Sequence, residues 1–437
     1  MQAYSDQVTG SDGAAVDDAQ GFGRSKAVMS YNTLLGSTII GPSYKFTSDP
    51  SSLEGAKVMA ASGARVHKFS VDNWLDTART RRPASLLEAV TQSQQRYVDV
   101  LDQPMDRFVF WAYPVTDAIY QEFYDLATFL IKRYAGTGKS FFIGHWEGDW
   151  AIRDNYKDPI MPGRVEYWTH KLSEVQRAID TAKADAADLV NGGAGVRVWG
   201  YAEVNRVLTA MGNSSYPAFI NQIVPNINPP IDFISYSNWE IEEAQQRSAD
   251  EIGTVLGDAL DFINCHLPPK PCVPEPRVFV GEFGYFLRNN NCTAADAPPV
   301  KAGQGPHMDT TSEIIKQRTL WHAASAIAWG SPMNLYWELY SNEKGTDAKG
   351  QRCDKGYWLV NDQGQDEPVF AALKAYYSAA DAFVRRHARA HGGAAPDINA
   401  FRRWAVAKLA DLTGYVGVAP PKVRELDPAA ALIAGGH

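Results

Sequence analysis

Val278-Phe-Val-Gly-Glu-Phe-Gly284 is the stretch on which the reading of this chain turns. Its β-branched and aromatic residues suit a strand buried on both faces. It closes on a carboxylate, Glu282, set between Gly281 and Gly284. A charge in so apolar a run is costly to bury unless partners meet it, so Glu282 implies a partnered site. A second run, Phe141-Phe-Ile-Gly-His-Trp-Glu147, has the same build and also ends in a glutamate. Two further β-like runs lie between them, so the two glutamates sit three strands apart. In a closed parallel barrel of eight strands, that separation sets two carboxylates across one pocket at the C-terminal face.

Outward from these runs the chain repeats strand, loop and helix. Eight β-like runs occur, at 27–31, 65–71, 107–113, 141–146, 196–202, 231–237, 278–282 and 333–337. Between them lie helix-like segments. Residues 117–134 carry Ile119, Phe123, Leu126 and Leu130 at helical spacing, with Asp117 as the expected N-cap. Residues 164–190 read as one long helix ending near Gly192 and Gly193, and 249–263 and 312–329 read likewise. Alternating strands and helices imply a parallel sheet, and eight units imply a (β/α)8 TIM barrel. The open doubly wound alternative lacks a Gly-x-Gly-x-x-Gly turn after the first strand. The expected organisation is an N-terminal extension at 1–24, the barrel at 25–380 and a C-terminal helical extension at 381–437. Long βα loops at 284–311 and 340–367 belong on the face that carries chemistry. The extension holds a basic patch (Arg385, Arg386, Arg389), an amphipathic segment at 398–412, and a Pro- and Ala-rich end that reads as poorly ordered.

The 437 residues are 45% hydrophobic and 21% charged, enough for one large core. The formal net charge of −8 argues against nucleic acid or an anionic membrane as partner. No apolar run reaches the roughly 18 residues that a membrane span needs. The aromatic surplus (12 Trp, 20 Tyr) suits both a large core and platforms for sugar rings. The cysteines, Cys265, Cys272, Cys292 and Cys353, all fall in loop-like surroundings late in the chain. Cys265 and Cys272 can close a small loop, leaving Cys292 and Cys353 to pair. Four free thiols are the alternative, and the absence of Cys-x-x-Cys argues against zinc. Residues 1–23 lack the apolar stretch of a signal peptide. Either the protein is cytosolic or its signal has been removed, and the cysteines favour the second reading, an extracellular or periplasmic mature chain.

The two glutamates have different surroundings. Trp146 and Trp150 flank Glu147, and an apolar wall of this kind raises a carboxyl pKa and suits it to donate a proton. Neither His-Glu-x-x-His nor His-x-His appears, so no metal or other cofactor is implied, and no Gly-x-Ser-x-Gly elbow points to a serine nucleophile.

These motifs resemble the clan A glycoside hydrolases, retaining (β/α)8 enzymes that include cellulases, mannanases and β-glycosidases. Gly144-His-Trp-Glu-Gly-Asp-Trp150 is similar to the clan's strand-four motif, and Gly281-Glu-Phe-Gly284 to its strand-seven motif. Gly356-Tyr-Trp-Leu-Val-Asn-Asp-Gln-Gly364, followed by Glu367-Pro-Val-Phe, resembles its closing hairpin and last helix. The resemblance covers about residues 25–380. It implies Glu147 as acid/base, Glu282 as nucleophile, Tyr236 beside the nucleophile and Trp337 as a sugar-stacking aromatic. Two positions depart from the clan. Trp146 replaces the asparagine that bonds the sugar's 2-hydroxyl, leaving His145 or Asn205 to take that part. Lys68 stands where the clan carries an arginine under the nucleophile, with the charge but not the forked geometry. Glu203 is the rival acid/base if the first strand is spurious, and otherwise a substrate-binding residue on strand five. Glu338 is a further carboxylate near the pocket. The resemblance implies hydrolysis of an oligo- or polysaccharide. Two other readings use the same residues: an inactive carbohydrate-binding barrel, motivated by the missing asparagine, and a transglycosylase.

Overall fold

The computed structural model describes residues 31–71, 83–153, 159–191, 195–243, 248–285, 292–293, 311–347 and 351–427. Eight parallel strands close into a barrel. In chain order they are β1 (Leu35–Ile39), β2 (Val66–Val71), β3 (Arg107–Ala112), β4 (Ser140–Gly144), β5 (Arg197–Val204), β6 (Phe233–Ser237), β7 (Val278–Phe283) and β8 (Asn334–Tyr336). β8 pairs with both β7 and β1, which completes the ring. The fold class read from the sequence is therefore the one observed.

The first strand is not where the sequence placed it. Residues 27–30 lie outside the described residues, and Tyr31 opens a short 3-10 turn. β1 begins four residues later, at Leu35-Gly-Ser-Thr-Ile39. Glycine and serine hid this strand. The glycine is required, because a Cβ at Gly36 would collide with the Val66 carbonyl of β2. Eight strands remain, so Glu147 still follows β4 and Glu203 still lies on β5.

Helices cover the outside. Ile119–Arg133 buries Phe123, Leu126, Ala127, Leu130 and Ile131, the single stripe expected of a surface helix. Asp117 does not cap it: the flanking residue is Ala118, with no side-chain cap. Glu122 gathers this turn instead, accepting from the Val115 and Thr116 amides and from Leu86 N. The expected helix over 164–190 is two, Arg164–Asp185 and Ala187–Asn191, broken where Ala186 leaves helical geometry (φ −123°). Ala249–His266 starts on a Ser248/Glu251 capping box. Ser312–Trp329 is buried nearly all round, because it lies between the barrel, Ala249–His266 and the C-terminal helix Ile398–Thr413.

Pro368–Ala390 runs unbroken through position 380. After Ile398–Thr413 the chain is docked through Arg424 N to Ala328 O and Leu426 N to Asn399 Oδ1; the Ala-rich end at 428–437 and the expected N-terminal extension at 1–24 lie outside the described residues. The long connection after β8 contains two strands, Lys344–Asp347 and Arg352–Asp354, which form a small antiparallel sheet with Cys292–Thr293. Cys265 and Cys272 are free thiols, so the small loop they were expected to close is not cross-linked. Cys353 is disulfide-bonded. Among the described residues no helix is long and apolar enough to cross a membrane.

Candidate active site

Strand alternation decides which side chains reach the barrel axis. Val66, Val109, Phe142, Trp199, Phe233 and Phe279 form one buried inner cluster, and Phe69, Phe108, Phe141, Val198, Ile234 and Val280 pack outward against the helices. Two residues further along the inward positions stand Lys68 on β2 and Ser235 on β6, and four further along β5 stands Glu203. All three are fully buried.

Glu282 reaches the axis through a bulge. Tyr236 pairs with Val280, but the next β6 residue, Ser237, pairs with Glu282, so β7 carries an extra residue there. A bulge re-aims the side chain that follows it. The extra residue is Gly281, where a Cβ would collide with the Ser235 hydroxyl and lie 3.2 Å from Glu203 Oε2. Glycine therefore leaves room for a second carboxylate beneath Glu282.

Lys68 Nζ lies 2.8 Å from Glu282 Oε1, 2.8 Å from Glu203 Oε2 and 3.2 Å from the Gly281 carbonyl, which uses all three of its donors. The ammonium also sits 4.7 Å from the centre of the Trp111 ring. Burial works against this cation, but the Glu203 and Glu282 carboxylates outweigh it and hold its pKa above the ordinary lysine value. Glu282 Oε2 accepts from Ser237 Oγ at 2.9 Å and Trp239 Nε1 at 3.2 Å. Glu203 Oε2 accepts from Ser235 Oγ at 2.7 Å, and its Oε1 accepts from the backbone amide of Glu147 at 3.1 Å. Burial raises the Glu203 carboxyl to about 7 in spite of Lys68.

Glu147 is 6% exposed. Its Oε1 accepts from Asn205 Nδ2 at 2.8 Å and lies 3.0 Å from Ser237 Oγ. Burial, then the like charges of Glu282 and Glu203, push its carboxyl well above the ordinary glutamate value. Ser237 thus touches both carboxyl groups. Contacts of 3.0 and 2.9 Å to one oxygen place Glu147 Oε1 and Glu282 Oε2 no farther apart than their sum, about 5.9 Å. A hydroxyl has a single proton, so Ser237 can donate to only one of them. Glu282, with Lys68 and Trp239 as its other donors, has the pattern of a carboxylate. Ser237 thus joins the two in a line, Glu147–Ser237–Glu282, and its hydroxyl can donate in either contact but not in both at once.

The sequence-predicted residues divide accordingly. Lys68, Glu147, Glu203, Asn205 and Glu282 come together in this cluster. Trp337 packs in the inner cluster with Trp111 and Trp239 (ring centres 6.4 and 6.3 Å), and Trp146 packs at its edge. Glu338 is fully buried and accepts from Asn342 N at 2.7 Å and Ile40 N at 3.3 Å, so it ties the β8 and β1 ends together. Tyr236 was expected beside Glu282, but alternation turns it outward into the helix-side core. Ser237 occupies the place expected of it. His145 is likewise outward, its ring 4.7 Å from Trp168 and 5.4 Å from Phe219, and burial pushes its pKa down to about 3. It does not join the cluster.

Sequence reasoning missed four residues: Ser235, Ser237, Trp239 and Asp149. The three on and after β6 were visible in Phe233-Ile-Ser-Tyr-Ser-Asn-Trp239, had Phe233 been taken as inward. Asp149 gave no signal. Its Oδ2 accepts from Asn205 N at 2.9 Å and Arg206 N at 3.1 Å, and its Oδ1 from Phe219 N at 2.9 Å. It therefore holds Asn205 where that amide meets Glu147.

No family model matches the chain, and no curated protein does. Solved structures do resemble it. A glucosidase from Croceicoccus marinus has TM-score 0.46 and 10% identity, over 80% of this chain and 68% of that one. A Bacteroidetes-affiliated GH5 cellulase has TM-score 0.42 and 13% identity, over 80% and 92%. A β-D-glucuronidase from Dictyoglomus thermophilum has TM-score 0.43 and 10% identity, over 78% of this chain and 50% of that one, so this chain spans half its length. Likenesses this slight carry no functional argument.

Proposed function

We propose that the chain is a retaining glycoside hydrolase acting on an oligo- or polysaccharide. The observation that carries this reading is the shared Ser237 hydroxyl, with one carboxyl raised by burial and the other served by Lys68. Retaining enzymes set their two carboxyl groups about 5–5.5 Å apart, and the bound of about 5.9 Å between Oε1 and Oε2 is compatible with that. Inverting enzymes leave roughly 6.5–9.5 Å for a water.

In this mechanism the Glu282 carboxylate attacks the anomeric carbon as Glu147 gives its proton to the leaving oxygen. The glycosyl-enzyme ester then forms on Glu282. Glu147, now a carboxylate, takes a proton from water, and that water displaces Glu282. Lys68 and the Trp239 N–H orient the nucleophile. Asn205 orients the acid and takes over part of the role of the asparagine replaced by Trp146. Trp337, Trp239 and Tyr357 wall the approach, with Trp239 and Tyr357 edge-on at 5.4 Å. The disulfide at Cys353 supports an exported protein.

The test is a screen of defined oligosaccharides for released reducing ends, with proton NMR of the first-formed anomer. Cleavage with retention, lost in E282Q, supports the reading. Binding across the panel without cleavage would favour the carbohydrate-binding barrel, and inversion would remove Glu282 as nucleophile. Transfer to a sugar acceptor instead of water would mark the same residues as a transglycosylase.

A further inference from the structure

A second cavity lies at the opposite end of the barrel, between its base and the C-terminal appendage. Arg107 at the start of β3, Glu275 ahead of β7, Pro332 ahead of β8, and Arg402 and Leu426 of the appendage contribute to its wall. It measures about 490 Å³ with its mouth, and about 40 Å³ of it admits the centres of water-sized bodies. One water needs roughly 10–15 Å³ by that measure, so the space suits about three waters or one small ion.

The charges in the wall do not balance. Arg107 is 5% exposed, and of its five N–H donors one hydrogen bond is formed, from Nη1 to Pro332 O at 2.6 Å. Its chain neighbour Asp106 attracts it but forms no hydrogen bond with it, and Asp106 Oδ2 is itself buried without a hydrogen-bond partner. Arg197, two strands away at the barrel base, repels Arg107. Across the cavity Arg402 spends its five donors on the carbonyls of Ile327, Ala328 and Arg424 and on Asn399 Oδ1. Those oxygens satisfy its geometry but carry no net charge. Glu275, the one carboxylate in the wall, is bonded to Arg277 Nε at 2.9 Å. Two guanidinium groups therefore border one small space; Asp106 and Glu425 attract them from outside its wall without a hydrogen bond to either, and Arg107 has donors with no protein partner.

We propose that this cavity binds a tetrahedral oxyanion, phosphate or sulfate, with Arg107 as its principal donor. A guanidinium presents parallel N–H groups that match two oxygens of such an ion. The bound ion offsets both buried cations and fastens the Ile398–Thr413 helix and the strap at 424–426 to the barrel base. This site is independent of the glycosidase reading and survives its failure.

The experiment is thermal unfolding of the full chain in inorganic phosphate, in sulfate and in chloride at matched ionic strength, with calorimetric titration of phosphate. A ligand that binds only the folded state at a hundredfold excess over its Kd favours folding about a hundredfold. The expected result is a saturable rise in Tm with phosphate and sulfate, absent with chloride. R107M, checked by circular dichroism, is expected to lose it. L426E keeps Arg107 but sets a carboxylate at the cavity, and is expected to lose the phosphate shift while folding normally. Glycerol 3-phosphate separates the sources: a shift equal to that of phosphate admits phosphate esters, no shift restricts the site to the free ion, and both support it. Equal shifts in chloride, or a phosphate shift undiminished in L426E, would overturn the proposal.

Discussion

At the C-terminal end of the barrel one buried lysine serves two carboxylates, with a third, Glu147, beside them; at the N-terminal end buried arginines outnumber the acids that reach them. Both imbalances are costly, because the interior screens charge poorly. The two ends relieve that cost differently. A carboxylate can take up a proton, and burial raises Glu203 to about 7 and Glu147 well above its ordinary value. A guanidinium stays charged: burial lowers Arg107 only to about 10. An acidic cluster short of cations thus becomes a place where protons are held and released near neutral pH. A basic one calls for an anion or solvent.

The largest expected effect at the acidic end is on turnover. E282Q keeps size and most hydrogen bonds but removes the anion that attacks in the proposed mechanism, and is expected to cut kcat by on the order of 10⁴-fold or more. Unchanged circular dichroism and Tm within a few degrees would show that chemistry alone was lost. A near-normal rate would break the distinction between the two carboxyls. The next effect is on stability. K68M strands Glu203 and Glu282 without their shared cation, and breaking a buried pair from one side costs about 3–5 kcal/mol. R107M in phosphate-free buffer strands one carbonyl and no hydrogen-bonded carboxylate, and is expected to cost about 1–3 kcal/mol. Urea unfolding of both measures the contrast. Equal losses would remove it.

A pH titration of stability sharpens the comparison. The Glu203 carboxyl rises from 4.5 to about 7 on folding. Between those values the native protein holds a proton that the unfolded chain has released, so stability falls as pH rises from about 4.5 to 7. The interval is worth roughly 3 kcal/mol at its upper end. E203Q has no proton to lose, so this part of the slope should vanish, leaving the part due to Glu147. A slope unchanged in E203Q would mean that Lys68 keeps Glu203 ionised across the range.

The sequence made the barrel legible because seven of its strands are runs of β-branched and aromatic residues, and those were found. β1 was not, because Gly36 serves a close approach to Val66 and sacrifices the strand signature. The glutamates were legible as charges at the ends of apolar runs. Their partners were not. Tyr236 drew attention as the larger polar residue, yet a strand gives its neighbours opposite faces, and the serines on either side of it hold the inward positions. The bulge at Gly281 was also invisible, because register is set by pairing and not by composition.

The smallest expected effect falls on Ser237, and it tests the direction of the proton line. S237A leaves Asn205 on Glu147, and Lys68 and Trp239 on Glu282, so the stability loss should stay near 1 kcal/mol. Activity should fall modestly, and the informative reading is the pH profile. If Glu147 donates to Ser237, the hydroxyl stabilises the neutral acid. Its removal then lowers the acid's pKa and moves the alkaline limb of kcat/KM to lower pH. If Ser237 instead donates to Glu147, it stabilises the carboxylate, and removal moves the limb upward. One proton cannot serve both glutamates, so the sign of that shift shows which of them receives it.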